Sequence, residues 1–570
     1  VRHEILAVSA DARSPERGQY SFVQGLTREV AYKTLTRADR KSRHLAAARY
    51  FESLGSDELA GAIAGHYLAA WQNAAEVPEA DALAAQTRAA LAAAAERAAS
   101  LGSYEQAAKF CEQALAVTAE PAARAGLLER AGDAWSKAAT YDRASTVLRD
   151  AIALHRDLGD RRGTARATEL LGRSLTAGHL LDEALALLEP AVEEFADLEG
   201  EPEGVALLVM LAGAVMVAED YPRALALADQ ALPTVERLDL PELAARALMT
   251  KGGALLPLGR AYEGRGVLRA GIELAETVGV PDLSLQGRTA LMASTGSRDV
   301  VAGLEMGRAG LAEARRLGLR GAAVVLAGNV VEVARWTGDW EWALSELAPF
   351  LEGDLDVVQR SWLLTGCVIL RGWRGEVIDE ELAELRQIQE ARPTDAFAAG
   401  DRADLESCLG LATGRLAEAH AAAHDMARLS PLNAPAAHSM AVRAALWMRD
   451  PVAAPEDLAA LEATRARGPF VALRRTAFRA GIAALEGRAS EARSLYAEAR
   501  RGLLDRGIAF EAALVAIDMA TLLGPDDSDA VDAAAEARLA LERLSARPFL
   551  ARLEAALAGE AVERAVPNGA

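Results

Sequence analysis

The sequence predicts an all-α fold: a right-handed superhelical solenoid built from a stack of helix hairpins. Three observations predict it. A short phrase returns at near-constant spacing. Its copies are Gly102-Ser103-Tyr104-Glu105-Gln106-Ala107, Thr140-Tyr141-Asp142-Arg143-Ala144, Asp220-Tyr221-Pro222-Arg223-Ala224 and Gly338-Asp339-Trp340-Glu341-Trp342-Ala343, with looser copies ending at Ala184, Ala419 and Ala492. Counted on the final alanine, the first steps are 37, 40 and 40, and Ala343 to Ala419 is 76, two steps of 38. A regular period in the range of roughly 20–50 residues marks tandem supersecondary units. After each marker alanine the apolar residues keep helical spacing, as in Ala144, Val147, Leu148 and Ala151. Finally, 570 residues exceed a single core, and with 51% hydrophobic but only 5% aromatic residues the packing must come from alanine and leucine. A stack in which each repeat touches only its neighbours meets both conditions.

Along the chain, residues 1–52 stand apart. Residues 4–8 and 20–23 read as short strands around a polar loop, 11–19, and helices are expected over 25–35 and 37–51. Together they read as a small winged-helix remnant. In the second helix, Ala38, Leu45, Ala48 and Phe51 share a face. Opening helices at 61–71 and 81–100 fill residues 53–100. Repeats occupy 101–557, and a polar, frayed tail closes the chain at 558–570. Within each repeat a glycine or small polar residue ends the first helix. An aromatic or leucine packs into the hairpin, and the alanine sits where the helices approach closest. The uncharged run 204–218, between Glu203 and Glu219, is too short to span a bilayer and reads as a buried repeat helix. Some phrases have decayed: the marker is Gly264 in one and Gly303 in another, and around 372–382 and 449–458 spacing alone places a repeat.

The net charge of −20 disfavours non-specific nucleic-acid binding by the body of the chain. Lysine occurs only at 33, 41, 109, 137 and 251, leaving few candidates for lysine chemistry. Cys111, Cys367 and Cys408 lie far apart and offer neither a disulfide framework nor a structural zinc site. The start, Val1-Arg2-His3-Glu4, carries no apolar stretch, so no signal peptide and a cytoplasmic location are expected. The initial valine reads as the start of a fragment or as a literal GUG start.

The hairpin phrase resembles the tetratricopeptide repeat (TPR), whose usual period of about 34 residues is shorter than the step seen here. The strands feeding into helices at the N-terminus resemble the tail of a winged-helix domain. The stretch from Tyr20, Phe22 and Gln24 through Leu26, Arg28, Val30, Ala31, Tyr32 and Leu35, followed by Arg40, Arg43, His44 and Ala48, resembles the segment after the ATPase module of STAND-type signalling ATPases. It is most similar to actinobacterial multidomain proteins that join a class III adenylate/guanylate cyclase, an AAA-like ATPase and a C-terminal TPR region. Residues 13–20 and 541–550 fit the same group. The resemblance implies a sensor and protein-interaction region whose concave groove takes a peptide, protein or small effector and biases an ATPase or cyclase module in cis or trans. One departure is Gln24, where many relatives carry histidine, so no nucleotide-sensing role is transferred. No G-x-x-x-x-G-K-[ST] cradle occurs, since the dipeptide Gly-Lys is absent. No nucleophile elbow or nucleophile–base constellation stands out either. The expectation is a non-enzyme without cofactor, metal or membrane span.

Five of the eight tryptophans fall between 336 and 373, namely Trp336, Trp340, Trp342, Trp362 and Trp373, with Arg335, Arg360, Arg371 and Arg374 among them. Aromatic and arginine side chains are frequent binding hot spots. The same residues also fit core packing, because Trp340 fills the aromatic slot of the phrase. Trp342 and Trp373 are the members expected at the surface. Arg28, Lys33, Arg37, Arg40, Lys41, Arg43 and His44 make the N-terminal segment basic. It suits docking on an ATPase, contact with DNA in a transcription regulator of the LuxR/STAND type, or a solvated face. The arginines at 465, 467, 474, 475 and 479 raise the same question. His420 and His424 share a helix face, but with no third or fourth ligand in view and Cys408 on the preceding helix, a solvated face is expected rather than a metal site.

Overall fold

The computed structural model describes residues 6–8, 20–74, 77–353, 355–391, 396–464 and 466–559. The expected loop 11–19, Arg465 and residues 560–570 of the expected tail lie outside them. The described residues form 28 α-helices, two short 3-10 helices and one strand pair. None of these helices is long and apolar enough to cross a membrane. Two compact units divide the chain: residues 1–135 with 150–159, and residues 136–149 with 160–570.

In the smaller unit, Leu6–Val8 pairs antiparallel with Tyr20–Phe22, Leu6 opposite Phe22. The helices Gly25–Thr34 and Arg37–Ser53 follow within two residues of the expected ends. Thr36 caps the second, its hydroxyl accepting the Asp39 N–H at 3.1 Å. The first buries none of its residues, and Ala48 alone of the second is buried. Packing begins with Ala60–Gln72 and Val77–Ser100, where Ala64, Leu91, Ala94, Ala114, Val117 and Leu127 form the core.

The larger unit consists of helix pairs, and the phrase explains its turns. A left-handed residue stands at Ala139, His179, Glu219 and Gly259, with φ of 59°, 56°, 64° and 80°. These positions are evenly spaced, at the same step as the marker alanines 144, 184 and 224. The residue after each of the last three donates back across the turn, Leu180 N–H to Leu175 O at 2.9 Å, Asp220 N–H to Val215 O at 3.1 Å and Arg260 N–H to Leu255 O at 3.0 Å. This closes the last turn of the first helix and reverses the chain. The marker alanine is then sealed between the two helices. Ala144, Ala184, Ala224, Ala343 and Ala492 have 0% exposure, and Ala419 has 1%. The run 204–218 becomes the helix Pro202–Val217, with eight buried residues.

Two repeats that look decayed in sequence bring their helix backbones close together. A Cβ on Gly264 would lie 2.8 Å from Gly252 O, and one on Gly303 would lie 2.4 Å from Gly296 Cα. The helix backbones approach so closely there that alanine no longer fits. A second expectation needs correction. Repeats in this unit touch more than their neighbours. The Glu219 carboxylate accepts from Ser430 Oγ at 2.7 Å and from the Leu432 N–H at 3.2 Å. The Phe470 N–H donates to Arg298 O at 3.1 Å. The helix Arg320–Thr337 packs on Ala509–Leu523. Segments far apart in the sequence are thereby joined within one body.

Candidate functional site

Helices of the larger unit bring three of the five predicted tryptophans, Trp336, Trp340 and Trp373, into one layer of rings. Trp340 and Trp373 are 1% exposed. Their indole N–H groups donate to Arg335 O and Cys408 O, each at 3.0 Å. Phe510 lies 4.7 Å from Trp340 and 5.1 Å from Trp373, and Phe549 5.5 Å from Trp373. The surface position expected for Trp373 is therefore wrong: the helix Val357–Trp373 turns it inward onto rings from residues far along the chain. Trp336 is half-buried, with Trp373 at 5.7 Å and the Arg474 guanidinium 3.9 Å over its face. Trp342 is also half-buried, under Arg308 at 4.1 Å, and Trp362 lies half-buried against Gly328.

Cations thread this layer. Arg335, Arg443, Arg474 and Arg552 are all buried. Asp404 holds Arg335 with two bonds, at 3.0 and 2.9 Å. Glu511 bridges Arg443 at 2.9 Å and Arg474 at 2.8 Å. Asp518 accepts from the Trp447 indole at 2.6 Å. Arg552 stacks on Trp447 at 4.5 Å, and burial pushes its pKa down to about 10. The layer leaves little room. The pocket lined by Gly328, Arg335, Trp362 and Asp404 measures about 20 Å³, and the one lined by Trp336, Trp373, Arg443 and Trp447 about 10 Å³. That is space for a single water. Around Trp340 and Trp373 the rings serve as core.

The other predicted residues go to separate duties. Arg371 pairs with Glu376 and Glu381, Arg374 with Glu376 and Arg360 with Glu384. In the smaller unit Arg40 donates to Tyr32 O and Lys33 O, closing the end of Gly25–Thr34, and Arg37 donates to Gln72 O. Arg43 stays exposed, as does Arg28, and Lys41 is half-buried. Burial pushes the thiols of Cys111, Cys367 and Cys408 above the ordinary value, so none is a ready nucleophile. His420 and His424 do not simply face solvent: Asp457, from the next hairpin, lies against both.

One surface of the larger unit gathers several arginines. Tyr262, at the start of Ala261–Thr277, is 85% exposed. The Arg265 guanidinium lies 5.6 Å over its ring. Arg298 stands in the turn before Val300–Arg316, and its pKa is lowered by burial and by the nearby Arg265. Its backbone is pressed against Gly468, where a Cβ would lie 2.6 Å from Arg298 Cβ. Past Gly468, on Pro469–Leu485, the pKa of Arg475 is lowered by burial and by Arg467, with Arg479 adding to the effect. Glu462 pairs with Arg479. The sequence points to 467, 475 and 479 but not to Arg265, Arg298 or Tyr262, because contacts between distant segments, at Gly468 and Phe470, join them.

No family model matches the chain, and no curated protein matches it. Similar solved structures include the Rap protein complexed with competence and sporulation factor, at 13% identity and a TM-score of 0.40, covering 55% of this chain and 97% of that one. Another is the STAND protein with a tetratricopeptide repeat sensor from Pyrococcus horikoshii, at 12% identity and 0.33, covering 65% of this chain and 55% of that one. The APC/C hetero-tetramer Cut9-Hcn1 matches at 14% identity and 0.37, covering 84% and 96%. At these values the fold assignment, an all-α TPR-like stack of helix hairpins, rests on the chain's own turns and buried alanines.

Proposed function

We propose that the chain is a non-catalytic protein-interaction and sensor region, and that the larger unit takes an acidic protein or peptide segment at the patch formed by Tyr262, Arg265, Arg298, Arg467, Arg475 and Arg479. That patch is the observation that carries the reading. On a chain of net charge −20 it brings guanidinium groups from separate hairpins to either side of the Arg298–Gly468 contact, with Tyr262 exposed beside Arg265. Arg298 and Arg475 are both held below their ordinary pKa, by burial first and cationic neighbours second. An anion relieves that repulsion, and Tyr262 supplies flat apolar area beside it. The partner proposed is an acidic segment of a signalling ATPase or cyclase module, in cis or trans, in keeping with the resemblance of residues 20–48 to STAND-type ATPases.

The test is fluorescence anisotropy of a labelled peptide of glutamates and aspartates flanking one phenylalanine, titrated with the full chain. Saturable binding that weakens with salt is expected. The double variant Arg298→Ala/Arg475→Ala should weaken it roughly tenfold, at about 0.7 kcal/mol per contact. Absence of binding at low salt, or an unchanged affinity in the double variant, overturns the patch. ATP hydrolysis or cyclic-nucleotide formation by the purified chain would overturn the non-catalytic assignment.

A further inference from the structure

Asp457 lies on the helix Ala453–Ala463 with its side chain 4% exposed, and each of its oxygens faces an imidazole. Oδ2 is 2.7 Å from His420 Nε2, and Oδ1 is 2.9 Å from His424 Nε2. The two histidines stand one turn apart on Leu416–Leu429, their ring centroids separated by 4.6 Å. A carboxylate this deeply buried needs a cation or several donors beside it. A third histidine, His438 on Ala434–Trp447, has its ring 6.3 Å from that of His424. Its Nδ1 is buried without a hydrogen-bond partner. Asp450 fixes the start of the Asp457 helix by accepting the Val452 and Ala453 N–H groups at 2.9 and 3.0 Å.

We propose that His420, His424 and Asp457 bind one divalent transition-metal ion of the zinc class, with His438 placed to add a fourth ligand. One ligand atom from each of the three residues can be chosen so that all lie within 4.8 Å of one another. A tetrahedral zinc ion asks for about 3.4 Å between ligand atoms, given Zn–N and Zn–O of about 2.1 Å. The two nitrogen-to-carboxylate distances, 2.7 and 2.9 Å, fall below that value, so an ion would require the side chains to rotate slightly apart. Imidazole nitrogen with a single carboxylate suits zinc, cobalt, nickel or copper, whereas magnesium and calcium take oxygen ligands. The His424 side chain is 47% exposed, which gives the ion a route from solvent. The ligands come from successive helices, so an ion held there staples two hairpins and stabilises the folded unit as its concentration exceeds the dissociation constant.

The full chain, stripped with chelator and desalted, is titrated with Co²⁺ alone. A visible d–d absorption band is expected to saturate at a single equivalent and to be displaced by Zn²⁺. His424→Ala, at a well-exposed position, should keep the helical circular dichroism and lose the band. Its affinity should fall by more than the roughly 100-fold that loss of an outer-shell partner costs, and His420→Ala should behave alike. A folded parent with no saturable band, or a His424→Ala variant that retains it, overturns the site and leaves Asp457 as a hydrogen-bond acceptor for two histidines.

Discussion

Glu511 and Asp518 lie two turns apart on Ala509–Leu523, are equally buried, and titrate in opposite directions. Burial raises any carboxyl group. At Glu511 the two guanidinium groups of Arg443 and Arg474 outweigh burial and bring the pKa down to about 2. At Asp518 burial wins over the more distant Arg443, 3.5 Å away, and the Trp447 indole, and the pKa rises to about 6. The sign of each contribution to stability follows. Glu511 stabilises the fold above the unfolded value of about 4.3, and that stabilisation disappears as pH falls toward about 2. Asp518 does the reverse. Between its unfolded value of about 3.9 and its folded value of about 6, the folded chain holds a proton that the unfolded chain has released, so stability falls as pH rises through that window. Asp518→Asn removes this term while keeping an acceptor for Trp447. Its stability relative to the parent should improve as pH rises from about 4 to about 7, measured by urea midpoints across a pH series. A gap that stays constant across the series would show that Asp518 is ionised throughout.

At the scale of the helix pair, the two glycines in place of marker alanines, Gly264 and Gly303, are an adaptation to closer backbone approach rather than a loss of pattern. Gly303→Ala tests this directly. Alanine gains about 1 kcal/mol of helix propensity over glycine. Its Cβ would meet the Gly296 backbone at 2.4 Å, where a flexible side chain is not available to yield. Overpacking of this kind costs about 1–3 kcal/mol. A net loss of roughly 1 kcal/mol is therefore expected in thermal unfolding, where an exposed helix glycine would show a gain. The hairpins were legible in the sequence because most turns impose the same local demands: a left-handed residue, an aromatic or leucine, and a small residue at near-fixed spacing. The ring layer was not legible. Trp373, Phe510 and Phe549 are joined at separations unrelated to the period, and nothing local distinguishes an inward tryptophan from an exposed one. The third metal ligand had a readable signal. Asp457 follows His420 by 37 positions, close to one period, so the two occupy equivalent places on adjacent hairpins and face each other.

At the scale of the larger unit, contacts between distant repeats change how the stack responds to a partner. A chain of repeats coupled only to nearest neighbours loosens locally, and the disturbance fades within a repeat or two. Glu219 couples differently, because its carboxylate sits in one hairpin turn and holds Ser430 and the Leu432 N–H in another, 211 and 213 positions on. A change of curvature, as the proposed sensor role requires, must break such ties, so they set the free energy that a partner has to overcome. A hydrogen bond to a charged group contributes about 1.5–3 kcal/mol. Glu219→Ala should therefore speed amide exchange around residues 430–434 by roughly 10-fold or more, the lower bound being what about 1.4 kcal/mol gives. Glu219→Gln keeps an acceptor oxygen and should restore most of the protection. The two variants separate the tie from the strain of the left-handed backbone at Glu219, which both retain. Exchange near 430 that is indifferent to the side chain at 219 would mean that the tie carries no load, and that curvature is set within each hairpin alone.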